Sequence, residues 1–364
     1  MNFWQQLLEK RKITGKPFFA LAPMADVTDA SFRKIIAKYG KPDITWTEFV
    51  SADGLAHPVG RQKLMEDLKY SEIERPIIVQ LFSSNPENMR MACKFCAELG
   101  FDGIDINMGC PDRTIEKQGC GSAMIKTPDR AIAVIEAAKQ GIADAGKIIP
   151  VSVKTRVGYS REEIDTWITL LLKQNLSALT VHARTRKDLS QIPANWNYIS
   201  RIVKLRNKIA PETLIIGNGD VVDMVDGEEK AQETGCDGIM IGRAVFGNPW
   251  IFNKTIATKQ RGSWHQNFFL RLLPNKWSKK IKGDTRYTIA DIGLADKLRV
   301  MIEHTELFDE LLGGVKNFSI MKKHYKAYAT GFPKAKELRI QLMESRNKNE
   351  VRSIVEQFLK SSSL

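Results

Sequence analysis

The sequence predicts an α/β fold: a (β/α)8 barrel of TIM-barrel architecture followed by a small C-terminal helical domain. Three observations predict it. Eight short apolar runs recur through residues 1–253, segments with helical spacing lie between them, and polar side chains collect at the C-terminal ends of the runs. A strand that is apolar along its whole length is covered on both faces, as in an all-parallel sheet. Eight such units in about 250 residues make one barrel. A doubly wound open sheet is the competing arrangement, but no G-x-G-x-x-G turn follows the first run.

Taken in order, the strand-like runs are 18–24, 44–50, 76–82, 103–108, 151–156, 178–184, 213–220 and 238–243. Helical spacing is clear at 85–99, 127–145, 161–174 and 222–234. Beyond residue 253 the spacing predicts helices at 295–312 and 315–329, with 338–342 and 351–359 continuing a small bundle. The chain therefore divides into a barrel, 1–253, and a helical domain, 254–364, in which 255–295 is an atypical insertion or linker.

Candidate chemistry lies at the run ends, which share one rim in a barrel. They carry Gln80, Asn107 with Cys110, Lys154 with Arg156, His182 with Arg184, Asn218 with Asp220, and Arg243. Cys110 follows the run 103–108 in a Gly109-Cys110-Pro111 turn. There Gly109 is expected to adopt a backbone that other residues resist, and Pro111 to stiffen the exit. A single thiol fixed at a strand end suits a proton donor or nucleophile. The plainer reading, a small buried hydrophobe, gives way to this placement. Gly217-Asn218-Gly219-Asp220 and Gly242-Arg243 end the seventh and eighth runs. Glycine there lets backbone N–H groups approach a phosphate, which points to a phosphorylated cofactor.

Charge is unevenly distributed. The chain carries +13 overall, but residues 254–364 hold 22 Lys+Arg against 11 Asp+Glu, while residues 1–253 are nearly neutral. A basic appendage on a neutral body is the footprint of a polyanion-binding protein. Aromatics interleave with the cations at Trp264, Phe268, Phe269, Trp277, Lys279, Lys280, Lys282, Arg286 and Tyr287, where rings could stack on bases or form the small domain's core. The cysteines number five, an odd count that suits a reducing compartment and a cytoplasmic protein. Cys93 and Cys96 fall inside a helical segment with no second ligand pair, so no metal is expected. Cys120 reads as a bystander thiol. No apolar run is long enough for a membrane span, and residues 1–12 lack a signal-peptide core.

The chain resembles the tRNA-dihydrouridine synthases, FMN enzymes that reduce uridine in tRNA. The resemblance rests on Ala22-Pro23-Met24-Ala25-Asp26-Val27-Thr28-Asp29, Val79-Gln80-Leu81-Phe82, Ile106-Asn107-Met108-Gly109-Cys110-Pro111, Val153-Lys154-Thr155-Arg156, Val181-His182-Ala183-Arg184-Thr185, Gly217-Asn218-Gly219-Asp220 and Gly242-Arg243. It continues through Asn248-Pro249-Trp250-Ile251-Phe252, Met321-Lys322-Lys323-His324-Tyr325 and Gly331-Phe332-Pro333. It implies bound FMN held by Pro23, Met24, Ala25, Gln80, Lys154, His182, Asn218, Gly219, Asp220, Gly242 and Arg243. Lys154 at a buried strand end needs an anionic partner, and a reduced flavin ring supplies one. The resemblance further implies NADPH as reductant, tRNA as partner, Cys110 as the proton donor, and Asn107 and Arg184 at the substrate. The protein is expected to act as a monomer. Two stretches depart from the family pattern: Asp26 stands where the family usually has glycine, and 255–295 match nothing in it. A small-molecule FMN barrel of the dihydroorotate dehydrogenase type shares the fold and the lysine, but gives no reason for the basic tail.

Overall fold

The computed structural model describes residues 1–254 and 292–361. The Trp264–Tyr287 series of aromatic and basic residues lies outside the described residues. The chain forms two compact units. The first joins Met1–Ala25 to Pro42–Gly242, and the second joins Asp26–Lys41 to Arg243–Leu364. The sequence division after residue 253 followed the end of the strand–helix series. The units divide elsewhere because Ile35 and Trp250 share one apolar cluster with Leu298, Met301, Phe308, Tyr325 and Val355.

In the first unit every strand is parallel. They are β1 (Phe18–Leu21), β2 (Thr45–Ser51), β3 (Ile77–Phe82), β4 (Gly103–Met108), β5 (Val151–Arg156), β6 (Ala178–His182), β7 (Leu214–Asn218) and β8 (Gly238–Ile241). Their order is β1-β8-β7-β6-β5-β4-β3-β2, and a bridge between Ala20 and Ile44 joins the two edges into a ring. This is the expected (β/α)8 barrel. Strands β1, β6, β7 and β8 stop before their apolar runs do. After β7 the reason is visible: Gly219 (φ +128°) and Asp220 (φ +52°) turn the chain out of extended geometry.

Helices follow the predicted spacing at Pro86–Glu98, Pro128–Asp144 and Met224–Thr234. The stretch 161–174 differs: a π-helical turn, Ile164–Ile168, runs into one short α-helix, Thr169–Leu172. Trp167, within the π-turn, donates from Nε1 to Thr155 Oγ1 at 2.9 Å. Helix Phe3–Thr14 is opened by a capping box between Asn2 and Gln5 and closed by left-handed Gly15. It buries Trp4 and Leu7 among Phe18, Ile44, Trp46, Ala178 and Leu214, which are residues at or near strand starts, so it plugs the N-terminal end of the barrel. The opposite rim is left for chemistry.

The second unit is helical: Ala30–Tyr39, Leu294–Leu312, Met321–Tyr328, Ala335–Glu344 and Lys348–Ser361 pack around the cluster named above. Its core holds two imidazoles, His304 and His324, with ring centroids 4.6 Å apart and no hydrogen-bond partner for any ring nitrogen among the described residues. Asp26 sits at φ +52° and pairs with Lys323 at 3.2 Å. That left-handed backbone is the one glycine adopts most easily, and aspartate is among the few other residues that tolerate it.

Candidate active site

Strand parity and register bring the rim residues together. Side chains at i and i+2 share a face, so Asp105 with Asn107, and Lys154 with Arg156, point the same way. Across the ladder Gln80 pairs with Asp105, Asn107 with Lys154, Arg156 with His182, and His182 with Asn218. One face of four neighbouring junctions thus becomes a continuous polar arc.

Cys110 enters this arc through a turn held by Asn107. The Asn107 Oδ1 accepts from Gly109 N at 3.1 Å and from Cys110 N at 2.9 Å. Its Nδ2 donates to Gln80 Oε1 at 2.9 Å, and Gln80 Nε2 donates to Asp105 Oδ2 at 2.7 Å. Asn107, expected to face substrate, thus also binds within the protein through both ends of its amide. Arg156 donates from Nε to Gly109 O at 2.9 Å and braces the same turn from below. Gly109 is not left-handed. Its glycine is required by closeness, because a Cβ there would lie 3.1 Å from the Thr155 backbone.

The thiol of Cys110 is half-buried and packs with Phe49 against a small apolar cluster of Phe82, Ile115 and Cys120. Burial pushes its pKa up, partly countered by a backbone hydrogen bond at Asp112 and by the charges of Lys154 and Arg156. It stays protonated at neutral pH. Cys120 is buried, and burial raises its pKa as well.

Lys154 is driven the other way. Burial, helped by Arg156 and opposed by Asp105, lowers its pKa to about 8. Its one hydrogen bond among the described residues goes to Asn218 Oδ1 at 3.3 Å. Asn218 is itself fixed by donating from Nδ2 to Met240 O at 2.9 Å.

Arg184 ties the next part of the rim. It is 1% exposed and donates to Ile192 O at 2.7 Å, to Asp220, and from Nη1 to His182 Nε2 at 3.1 Å. An arginine only donates, so His182 accepts at Nε2 and carries its proton on Nδ1. Arg184, expected at the substrate, is bound within the protein to His182 and Asp220. Gly219 makes room for this packing, since a Cβ there would meet Ala194 Cβ at 2.8 Å and His182 Cδ2 at 3.1 Å. Gly242 differs: a Cβ would meet Ala22 and Met24 only at ordinary contact distances, 3.6 and 3.7 Å. Pro23, Met24 and Ala25 form the loop after β1, and Arg243 opens the second unit's longer segment.

Sequence reasoning missed Asp105 and Ser152, whose Oγ donates to Asp105 Oδ1 at 2.6 Å. The available signal was an acid two residues before Asn107 in a wholly buried strand. It also missed Glu116, which pairs with Arg186 and accepts from Ser122 Oγ at 3.0 Å under the Cys110 loop. No group of three or more His, Cys, Asp or Glu that could hold a metal occurs among the described residues. None of the described helices is long and apolar enough to cross a membrane.

Comparison with known proteins gives the family. The profile of the family described as Dihydrouridine synthase (Dus) matches residues 20–363. "Probable tRNA-dihydrouridine synthase 2" of Bacillus subtilis (strain 168) is 38% identical over 98% of this chain and 96% of its own length. "Probable tRNA-dihydrouridine synthase" of Staphylococcus aureus (strain COL) is 36% identical over 98% and 95%. A solved mutant of morphinone reductase, in complex with tetrahydroNAD, is similar at TM-score 0.45 and 11% identity over 64% of this chain and 85% of that one, a level that carries no argument. By class the chain is an oxidoreductase on a (β/α)8 barrel. It belongs to the dihydrouridine synthase family.

Proposed function

We propose that this protein reduces the 5,6 double bond of uridine in tRNA to dihydrouridine, with FMN as bound cofactor and NADPH as reductant. The observation that carries the reading is Cys110: a rim thiol kept protonated by burial, on a turn held by Asn107 and Arg156. A general acid must hold its proton until the reaction needs it.

The residues present fit a flavin. Lys154 offers a half-buried ammonium whose one hydrogen bond among the described residues is a long one to Asn218, so donors remain for an anionic ring edge. Gly242 is half-buried and has room beside its Cα, and it follows β8, one of the two strand ends where this fold commonly holds phosphate. When bound, the flavin supplies the hydride that uracil receives at carbon 6.

This chain's residues do the rest. Lys154 holds the negative charge of the ring and His182 its edge, with Gln80 supporting that edge from behind through Asn107. Pro23, Met24 and Ala25 line its face. Asn218, Gly219, Asp220, Gly242 and Arg243 hold the phosphate end. Cys110 gives its Sγ proton to carbon 5 as the hydride arrives at carbon 6, and solvent then reprotonates the thiolate. Asn107 and Arg184, assigned to the substrate, also keep the acid and His182 in place. The uridine must leave its stack to reach the rim. The basic residues of 254–364 supply phosphate contacts for tRNA. We assign the protein to the cytoplasm, acting as a monomer.

The test is coupled turnover. Purified holoprotein should oxidise NADPH in proportion to dihydrouridine formed in unmodified tRNA. Oxidation coupled instead to a free pyrimidine, with tRNA untouched, would favour a small-molecule barrel oxidoreductase.

A further inference from the structure

We infer that Asp105 is a positioning residue for Cys110: its carboxylate sets the direction of two side-chain amides in series, Gln80 and Asn107, and through them the turn that carries the thiol. The inference rests on the reading of Cys110 as proton donor and extends it to a residue that touches neither substrate nor cofactor.

The turn fixes the first direction. Gly109 N–H and Cys110 N–H both donate to Asn107 Oδ1, at 3.1 and 2.9 Å. A backbone N–H cannot accept, so the oxygen of Asn107 must face them. Its Nδ2 therefore faces Gln80 and needs an acceptor, which Gln80 Oε1 provides at 2.9 Å. Gln80 Nε2 is then turned to Asp105 and needs an acceptor in its turn, which Oδ2 provides at 2.7 Å. Asp105 ends the series, and its other oxygen accepts from Ser152 Oγ at 2.6 Å. Gln80 and Asp105 are both 0% exposed, so water does not stand in for a lost partner. An amide reversed at Gln80 would set two NH2 groups against each other. Reversal of Asn107 as well would leave the two turn N–H groups facing donors. Position 105 must present an acceptor for the turn to hold.

Parity makes this possible. Asp105 and Asn107 share a face of β4, and Gln80 sits opposite Asp105 on β3, so one glutamine spans both.

Two substitutions separate an acceptor from mere bulk. Asp105→Leu keeps a branched shape but offers no acceptor. Asp105→Asn keeps an oxygen that can face Gln80 while its NH2 faces the Ser152 hydroxyl. Nitrogen-15 cysteine labelling of the full chain gives a signal for each of five cysteine amides. That of Cys110 is identified by its loss in Cys110→Ser. In Asp105→Leu the Cys110 amide should exchange with solvent about tenfold faster, as expected when one hydrogen bond is removed. In Asp105→Asn it should stay within about threefold of the parent. Cys93, Cys96, Cys120 and Cys236 report on folding, and their amides should keep their positions and rates.

Single-turnover dihydrouridine formation should fall with the amide in Asp105→Leu and recover in Asp105→Asn. An unchanged Cys110 exchange rate in Asp105→Leu overturns the inference. So does equal acceleration in both variants, or acceleration of all five amides together. Should Cys110 exchange respond as stated while dihydrouridine formation does not change, the series through Asp105 stands and the assignment of Cys110 as donor falls.

Discussion

Lys154 and Cys110 share a rim and are perturbed in opposite senses, and burial is the leading cause of both shifts. Burial disfavours whichever form is charged, so the thiol keeps its proton and the ammonium gives its proton up more readily. The lysine is therefore the group that titrates first as pH rises. FMN affinity of the apoprotein should weaken as pH climbs through about 8, where Lys154 loses its charge. Flavin-fluorescence titration from about pH 6.5 to about 9.5, spanning that value, reads this, and Lys154→Gln should bind weakly with a flat profile. A parent protein with pH-independent affinity would remove Lys154 from the ring. At this scale much of the site was legible. Cys110, Lys154 and His182 stood out because their types are unusual at the ends of apolar runs. Asp105 was not legible, since Gln80 and Ser152 lie 25 and 47 residues away and only the folded ladder joins them. The reason for Gly109 was also misread: its need is space beside Thr155, which no local pattern announces.

Elements show the same division. The barrel strands were visible because burial on both faces leaves an uninterrupted apolar run. Helix Phe3–Thr14 was not singled out, because only Trp4 and Leu7 of its residues are buried. Those two matter despite their number. Trp4 is 3% exposed and lies 6.2 Å from Trp46 and 5.9 Å from Phe18, centroid to centroid. Trp4→Ala should cost about 3–5 kcal/mol in denaturant unfolding of the barrel, as for other buried aromatics cut to alanine. A loss under about 1 kcal/mol would mean the plug closes without it. In the helical unit, burial lowers His324 to about 4 and holds His304 well below its ordinary 6.5. The unfolded chain binds those protons more tightly, so the stability is present above about 6.5 and is lost as pH falls toward about 4. Unfolding free energy should therefore drop across that window, and drop less steeply in His304→Phe with His324→Phe. Parallel pH profiles for the two proteins would clear the imidazoles of this role.

For the whole molecule, composition indicated a neutral barrel and a basic remainder, and the fold class and family follow the sequence closely. The division point was less legible. Ile35 and Trp250 read as barrel residues in sequence order, and only their shared cluster assigns them to the helical unit. The helical unit has an open recess of about 380 Å³ whose lining combines Lys326, Lys336 and Arg339 with Ile340, Met343 and Glu344. Lys326→Glu with Lys336→Glu should weaken tRNA binding and flatten its dependence on log salt by about two, near one for each phosphate no longer neutralised. An unaltered slope would locate the tRNA-binding face elsewhere on the basic segment.

The central claim is that a protonated Cys110 completes the reduction of uridine in tRNA. Nucleoside mass spectrometry of unmodified tRNA, incubated with NADPH and FMN-loaded protein, tests it directly when the parent is set beside Cys110→Ala and Cys120→Ala. The parent and Cys120→Ala should convert uridine to a nucleoside two hydrogens heavier, while Cys110→Ala should do so about 10²–10⁴ times more slowly with its flavin still bound. Conversion by Cys110→Ala at the parent rate, or loss of conversion in Cys120→Ala instead, would contradict the account.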